Sequence, residues 1–280
     1  MDEHELQRPL HHQIIRNHFV EACQIDERVV AAFLGGSYAR GTNDVYSDLD
    51  LGLILTDETY EYFLADCEAF IQLLGESIFL EIYQDDGTDT VFSIFSDGTE
   101  VELLLGRESR FNHIHVGQYK VLLDKNGILA GAVFSGHQPA QDEQIETLRR
   151  LINWFWHDLS HHFITPIARG QLWSAFGALE DMRLACVNMA RLQQNFSVNA
   201  EGYEKIEQAL PIEQLAPLQA SFCPMERDAM LHAVLSIVRF YQELVPPLAE
   251  AHGIPYPADL ARVMSDRLEL LNYAYRRDPS

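Results

Sequence analysis

The sequence predicts an α+β fold: an N-terminal mixed sheet carrying helices over residues 1–135, followed by an all-α helical bundle over residues 136–280. Three observations lead there. Up to about residue 125, short apolar runs with period-two alternation interleave with stretches of helical spacing. Beyond about residue 140 the apolar positions recur at helical spacing alone. Between the two lies Ala130 to Ala140, rich in Gly, Ser and Pro, which carries the boundary. A chain of 280 residues exceeds the usual size of one domain, so each half can bury its own core.

Residues 10–24 have helical spacing and lead into a buried strand, Val29 to Leu34, that stops at Gly35-Gly36. Tyr38 to Gly41 make a short helix, and Thr42 to Tyr46 a polar loop. Leu49-x-Leu51-x-Leu53-x-Leu55 is a second strand with one apolar face. Thr56-Asp57 reads as an N-cap, and Tyr60, Phe63, Leu64, Cys67, Phe70, Ile71 and Leu74 continue one helix up to Gly75. Strands are expected at Ser77–Tyr83, Thr90–Phe95, Glu100–Leu105 and Gln118–Leu123, with Ser96-Asp97-Gly98-Thr99 turning the third from the second. Candidate helices then span 142–163, 170–194, 201–209, 225–245 and 257–275.

Composition narrows the function classes. Hydrophobic residues make up 47% and charged residues 22%, as in an ordinary soluble globular protein. The balance is acidic: 42 Asp and Glu against 20 Lys and Arg give a formal charge of -22. Such a surface repels nucleic-acid phosphates, and no Lys/Arg run offers a local exception, which argues against DNA or RNA as a partner. The same field attracts cations, including polyamine-like substrates. No apolar run reaches the approximately 18 residues of a membrane span, and the N-terminus is polar where a signal peptide would be apolar. Cys23, Cys67, Cys186 and Cys223 lack metal or disulfide spacing and suit reduced thiols in a cytoplasmic protein.

The most informative stretch is Gly35 to Leu51, where a small-residue turn precedes two alternating carboxylates, Asp48 and Asp50. Both point to the face opposite the leucines. Two neighbouring carboxylates on an apolar strand repel each other and resist desolvation, so they call for a cation, most simply Mg²⁺ held by oxygen ligands. Gly36 lets backbone approach a phosphate and Ser37 adds a hydroxyl donor, with Arg40 one turn beyond. Gly52 lies on the face of Asp50 and leaves room there.

Gly36-Ser37 followed by Asp48-Leu49-Asp50 resembles the signature of the nucleotidyltransferase superfamily that includes DNA polymerase β. Gly-Ser-x-Ala-Arg-Gly with the later Ser-Asp-x-Asp-Leu is most similar to the minimal nucleotidyltransferases and the aminoglycoside and lincosamide adenylyltransferases. The resemblance covers about residues 25–130. It implies a Mg²⁺-dependent enzyme, with two ions held by Asp48, Asp50 and a third acid, that moves AMP or another nucleotide from ATP or another triphosphate to a hydroxyl. In the family the third acid comes from a neighbouring strand flanked by apolar residues. Glu102 in Val101-Glu102-Leu103 matches, as metal ligand or general base; Glu100 shares its face but lies next to the turn. Gly36, Ser37 and Arg40 are the matching nucleotide-binding positions, and a helical bundle after the sheet domain is also how the antibiotic enzymes look.

For a small, cationic acceptor the candidates are Trp173, which could stack on a sugar ring, and Glu180 and Asp181, which could bind amino groups; a core-packed Trp and a solvated acidic face are the bland alternative. His157 and His161 are four residues apart, a zinc-compatible spacing, but no third ligand is visible and aromatic packing with polar histidines is the better account. Two other functions keep the same motif: an antitoxin-type enzyme that adenylylates a partner protein, and a catalytically inactive nucleotide-binding regulatory domain. Arg150 and His157 match an Arg-x(4 to 6)-His ribonuclease pattern associated with the former, though without a basic RNA surface. The oligomeric state is left open, a homodimer included.

Overall fold

In the computed structural model, which describes residues 3–85, 87–136, 139–197 and 202–277, the chain divides into two units, Met1–His137 and Gln138–Ser280. The first begins with helix α1 (Glu3–Ile25), strand β1 (Val29–Leu34), the short helix α2 (Gly36–Arg40) and β2 (Leu49–Leu55). Helices α3 (Tyr60–Ala65) and α4 (Cys67–Gln72) lead to β3 (Ser77–Asp85), β4 (Thr88–Phe95), β5 (Glu100–Arg107) and β6 (Lys120–Asp124). The strands form one sheet in the order β3-β4-β5-β2-β1-β6. Strands β2 and β5 run parallel and the other neighbours antiparallel, so the sheet is mixed.

Period-two alternation sorts the two faces. Leu49, Leu51, Leu53 and Leu55 of β2 join Val101, Leu103 and Leu105 of β5 in a core with Phe19 of α1, Phe63 of α3 and Phe70 of α4. Each such side chain contributes about 1.5–3 kcal/mol on leaving water, and this fixes which face of β2 turns inward. The opposite face carries a smaller cluster that includes Val30, Phe33, Ile54, Ile114 and Phe134. Asp50 shares the parity of Ile54 and therefore points to this second face.

The single helix expected after Thr56 is two helices. They meet at Asp66, whose backbone (φ −110°, ψ 8°) leaves the helical path and whose carboxylate accepts a 3.3 Å hydrogen bond from Arg28 Nη1. Thr56 does not cap them: its hydroxyl lies 2.6 Å from that of Thr59, the residue before α3.

In the second unit α5 (Gln141–His157) runs directly into a π-helical segment, Asp158–Ile164. There follow α6 (Thr165–Ala168), α7 (Leu172–Gln194), α8 (Ile206–Ala209), α9 (Ile212–Gln219), α10 (Arg227–Ala251) and α11 (Ala258–Arg277). No strand occurs among the described residues of this unit. Its core gathers Phe155, Trp156, Phe163, Leu179, Met182, Val234, Ile237 and Tyr241, with the rings of Phe155 and Tyr241 stacked at 3.8 Å. Helix α10 continues through Pro246 and Pro247, where the sequence pattern ends. Leu244, Val245, Leu248 and Ala249 are all buried around the prolines, and that burial outweighs the lost backbone bonds. Of the stretch expected to be helical at 201–209, position 201 lies outside the described residues and α8 starts only at Ile206. Helix α9 was not expected.

The four cysteines are free, and burial pushes the thiols of Cys23 and Cys186 up. Among the described residues no helix is long and apolar enough to cross a membrane.

Candidate active site

Strand β1 delivers the chain to Gly35, whose N–H donates to the Asp50 carbonyl at 2.8 Å. Gly36 follows at φ +50°, and a Cβ there would lie 1.6 Å from Asp50 Oδ2. Both the left-handed backbone and the contact require glycine, so the turn can lie against the carboxylate only with this residue. Helix α2 is barely more than one turn long and ends at Gly41 (φ 73°). Within it the Ser37 hydroxyl is buried and has no hydrogen-bond partner among the described residues. A buried hydroxyl left unbonded costs stability, and its natural complement is an acceptor atom from a ligand.

Three carboxylates converge beside this turn. Asp50 of β2 stands in register with Glu102 of the parallel strand β5, and Asp48 lies one residue before β2. Burial, then the charges of Asp48 and Glu102, push the Asp50 carboxyl up to about 6, against a smaller opposing effect of Arg40. Asp48, Glu102 and the Arg40 guanidinium thus each lie within electrostatic reach of Asp50. Glu100 is exposed at the start of β5, next to the turn.

Several residues at the site have no signature in the sequence. Tyr83 of β3 donates its hydroxyl to Glu102 Oε1 at 2.7 Å, which holds that carboxylate in place. The His115 ring packs on Gly35, where an added Cβ would meet its Cε1 at 3.0 Å. Its Nε2 lies 3.0 Å from the Gln118 carbonyl and donates to it; burial, then the Arg40 charge, lowers its pKa against the opposing effect of that bond. Lys120 Nζ donates to the Tyr38 carbonyl at 2.6 Å, placing a cation against α2. These residues reach the site from β3, from β6 and from the loop between β5 and β6, segments far away in the chain.

Gly52 does not leave room for a ligand. A Cβ on it would meet the Phe33 ring at 2.0 Å, so the space above it is filled by Phe33, which packs with Phe134 (4.7 Å), His115 (5.4 Å) and Tyr119 (5.9 Å).

Within the second unit Trp173, at the start of α7, is 81% exposed and is not a core residue. Glu180 and Asp181 differ in their engagements. Glu180 accepts from the Tyr203 hydroxyl at 2.7 Å and from Arg183 Nη1, and Arg183 is itself buried on Ser221 (Nε–Oγ 2.7 Å, Nη2–O 2.9 Å). At Asp181 burial, then the charges of Asp158 and Glu180, raise the pKa, with His162 acting against them. It lines a pocket with His161, His162, Arg169 and Ser174.

Three oxygen-donor side chains with a raised pKa among them, a glycine that admits no side chain and an unbonded buried hydroxyl fit a hard divalent cation and a phosphate chain. The family comparison points the same way. Residues 11–270 match the family described as streptomycin adenylyltransferase. Among solved structures the chain is similar to an aminoglycoside 6-adenyltransferase from Bacillus subtilis, with 16% identity and a TM-score of 0.46, covering 97% of this chain and 99% of that chain. It is also similar to a nucleotidyltransferase-like protein from Exiguobacterium sibiricum, with 11% identity and a TM-score of 0.40, covering 85% of this chain and 77% of that chain. No curated protein matches.

Proposed function

The chain belongs to the streptomycin adenylyltransferase family and is an adenylyltransferase; from that premise we propose that it transfers AMP from ATP, in the presence of Mg²⁺, to a hydroxyl of a cationic aminoglycoside-class acceptor. The observation that carries this reading is the convergence of Asp48, Asp50 and Glu102 beside the Gly36-Ser37 turn. Nucleotidyl transfer belongs to residues 1–135 in this account and acceptor selection to residues 136–280. Free cysteines suit a reducing compartment, and we place the reaction in the cytoplasm.

Asp48 and Asp50 would hold the cation, with Glu102 as the third acid. When bound, Mg²⁺, as two ions, supplies polarisation of the α-phosphate and neutralisation of the charge gathering on pyrophosphate. Ser37 donates its free hydroxyl to a phosphate oxygen, and Gly36 keeps the turn close enough for its backbone to approach the same chain of phosphates. Arg40 adds positive charge on this side. The acceptor oxygen bonds to the α-phosphorus as the bond to the pyrophosphate oxygen breaks. The hydroxyl proton passes to a base, for which Glu102, oriented by Tyr83, is the candidate if it is not itself a cation ligand.

The acceptor class is supported by the formal charge of -22 and by Asp181, which lines an open pocket and has no Lys or Arg ion pair among the described residues. Incubation with ATP labelled at the α-phosphate, Mg²⁺ and a panel of aminoglycosides tests the proposal. It predicts label in an aminoglycoside product and none with Asp50→Asn; label appearing only in protein, or nowhere, contradicts it.

A further inference from the structure

We propose that His157, Asp158 and His162 form a binding site for a divalent transition-metal ion of the zinc class, separate from the cation site of Asp48 and Asp50. In an α-helix residues five apart lie about 140° apart around the axis, so His157 and His162 would diverge. Here α5 gives way to π-helix at Asp158, and the wider turn, with its i to i+5 bonding, brings positions 157 and 162 back to one face. The sequence spacing favours the pair His157 and His161, four apart. The structure instead brings His162 to within 4.8 Å of His157, ring to ring, whereas His161 is at 5.6 Å.

Asp158 supplies the third ligand, which the sequence pattern did not show. Its Oδ1 lies 2.9 Å from His162 Nδ1 and 3.9 Å from His157 Nδ1, and one donor atom from each of the three residues lies within 4.8 Å of the others. Tetrahedral zinc with nitrogen and oxygen ligands needs donors about 3.3 Å apart, a value that those two separations bracket. The Asp158 side chain is 13% exposed while the two imidazoles are about half exposed at 48% and 47%, so a mostly fixed carboxylate faces two rings that solvent ions can reach.

An Asp158–His162 ion pair alone would be an ordinary i, i+4 contact. It does not account for a second imidazole nitrogen turned to the same carboxylate oxygen at a break in helix type. Two imidazoles and a carboxylate are a borderline donor set that favours zinc over magnesium. The pocket alongside, with His161 and His162 on its wall, leaves room for a water as the fourth ligand. An ion there would tie the end of α5 to the π segment and so hold the helix in its wider register.

The test uses the full-length chain, free of any affinity tag, and zinc chloride competed against a chromophoric chelator. Wild type is expected to bind one zinc per chain with micromolar or tighter affinity, with a rise in thermal midpoint that millimolar Mg²⁺ does not reproduce. His162→Ala and the pair His157→Ala with His162→Ala should weaken binding at least about tenfold while keeping the metal-free midpoint and helical content. Asp48→Asn with Asp50→Asn should leave zinc binding unchanged. Cobalt should give the visible bands of a four-coordinate site in wild type and lose them in the double-histidine variant. Absence of zinc binding at tens of micromolar, or equal binding by the double-histidine variant, overturns the proposal.

Discussion

Asp50 and Glu102 occupy the same register of two parallel strands, β2 and β5. Neighbouring strands lie about 4.8 Å apart, so this pairing alone sets two carboxylates side by side, and Asp48 adds a third. The arrangement is unfavourable for the metal-free protein and favourable for a cation, which separates stability from activity in the variants below.

The first consequence concerns pH. The Asp50 carboxyl rises from 3.8 to about 6 on folding, so the folded protein binds that proton more tightly than the unfolded chain. The metal-free fold therefore carries no penalty from Asp50 below about pH 4, and the penalty develops as pH rises through about 6. Asp50→Asn should raise metal-free stability at pH 7.5 by on the order of 1 kcal/mol, allowing for solvent screening at a part-exposed carboxylate, and the gain should vanish toward pH 4. The same variant should lose transfer. Thermal unfolding in a chelator at both pH values checks the sign; a variant less stable than wild type at pH 7.5 contradicts it.

Glu102 and Glu100 should separate kinetically. Glu102→Gln is expected to lower kcat by about 10²-fold or more, as for a positioned ligand or base, with Glu100→Gln near wild type. Tyr83→Phe removes the 2.7 Å hydrogen bond to Glu102 and should cost activity by about tenfold or less, in keeping with one hydrogen bond to a charged group. Steady-state kinetics that rank Glu100→Gln as the more damaged variant refute the assignment.

How much of this was readable beforehand follows from chain distance. Asp48, Asp50, Gly36 and Ser37 lie within fifteen residues, and their chemistry is carried by local alternation and a turn. Glu102 was legible because β5 alternates as β2 does. Tyr83, His115 and Lys120 were not, since their place at the site comes from sheet order and loop path, which local pattern does not encode. Gly52 was misread because a glycine beside a ligand and a glycine beneath an aromatic ring look alike in sequence. The π segment at Asp158 and the passage of α10 through Pro246 and Pro247 depend on tertiary burial overriding local preference, so periodicity placed the helices but not their ends or register.

Two glycines should fail in different ways. Gly36→Ala places a Cβ where Asp50 Oδ2 now lies and should abolish ATP-dependent transfer through displacement of that carboxylate. Gly52→Ala collides with Phe33 and should act on the fold, with a loss of about 1–3 kcal/mol partly recovered by Phe33→Leu. Denaturant titration and activity assays on both variants distinguish these outcomes; Gly36→Ala with full activity rules out the close turn as a requirement.

The acidic pair on α7 should also divide. Glu180→Gln weakens the partner of the buried Arg183 and should lower stability by about 1–3 kcal/mol. Asp181→Asn should leave stability near wild type, weaken aminoglycoside binding and flatten its dependence on ionic strength. Calorimetry at two salt concentrations reads both effects. Binding unchanged by Asp181→Asn would remove that residue from acceptor recognition.

In the proposed reaction Asp48, Asp50 and Glu102 hold the divalent cations that serve the nucleotide. Crystals grown with Mn²⁺ and a non-hydrolysable ATP analogue, measured at an X-ray wavelength where manganese scatters anomalously, test it directly. Anomalous density is expected between the carboxylates of Asp48 and Asp50, with the triphosphate on Ser37. Nucleotide bound at full occupancy with no manganese density at those two carboxylates would contradict it.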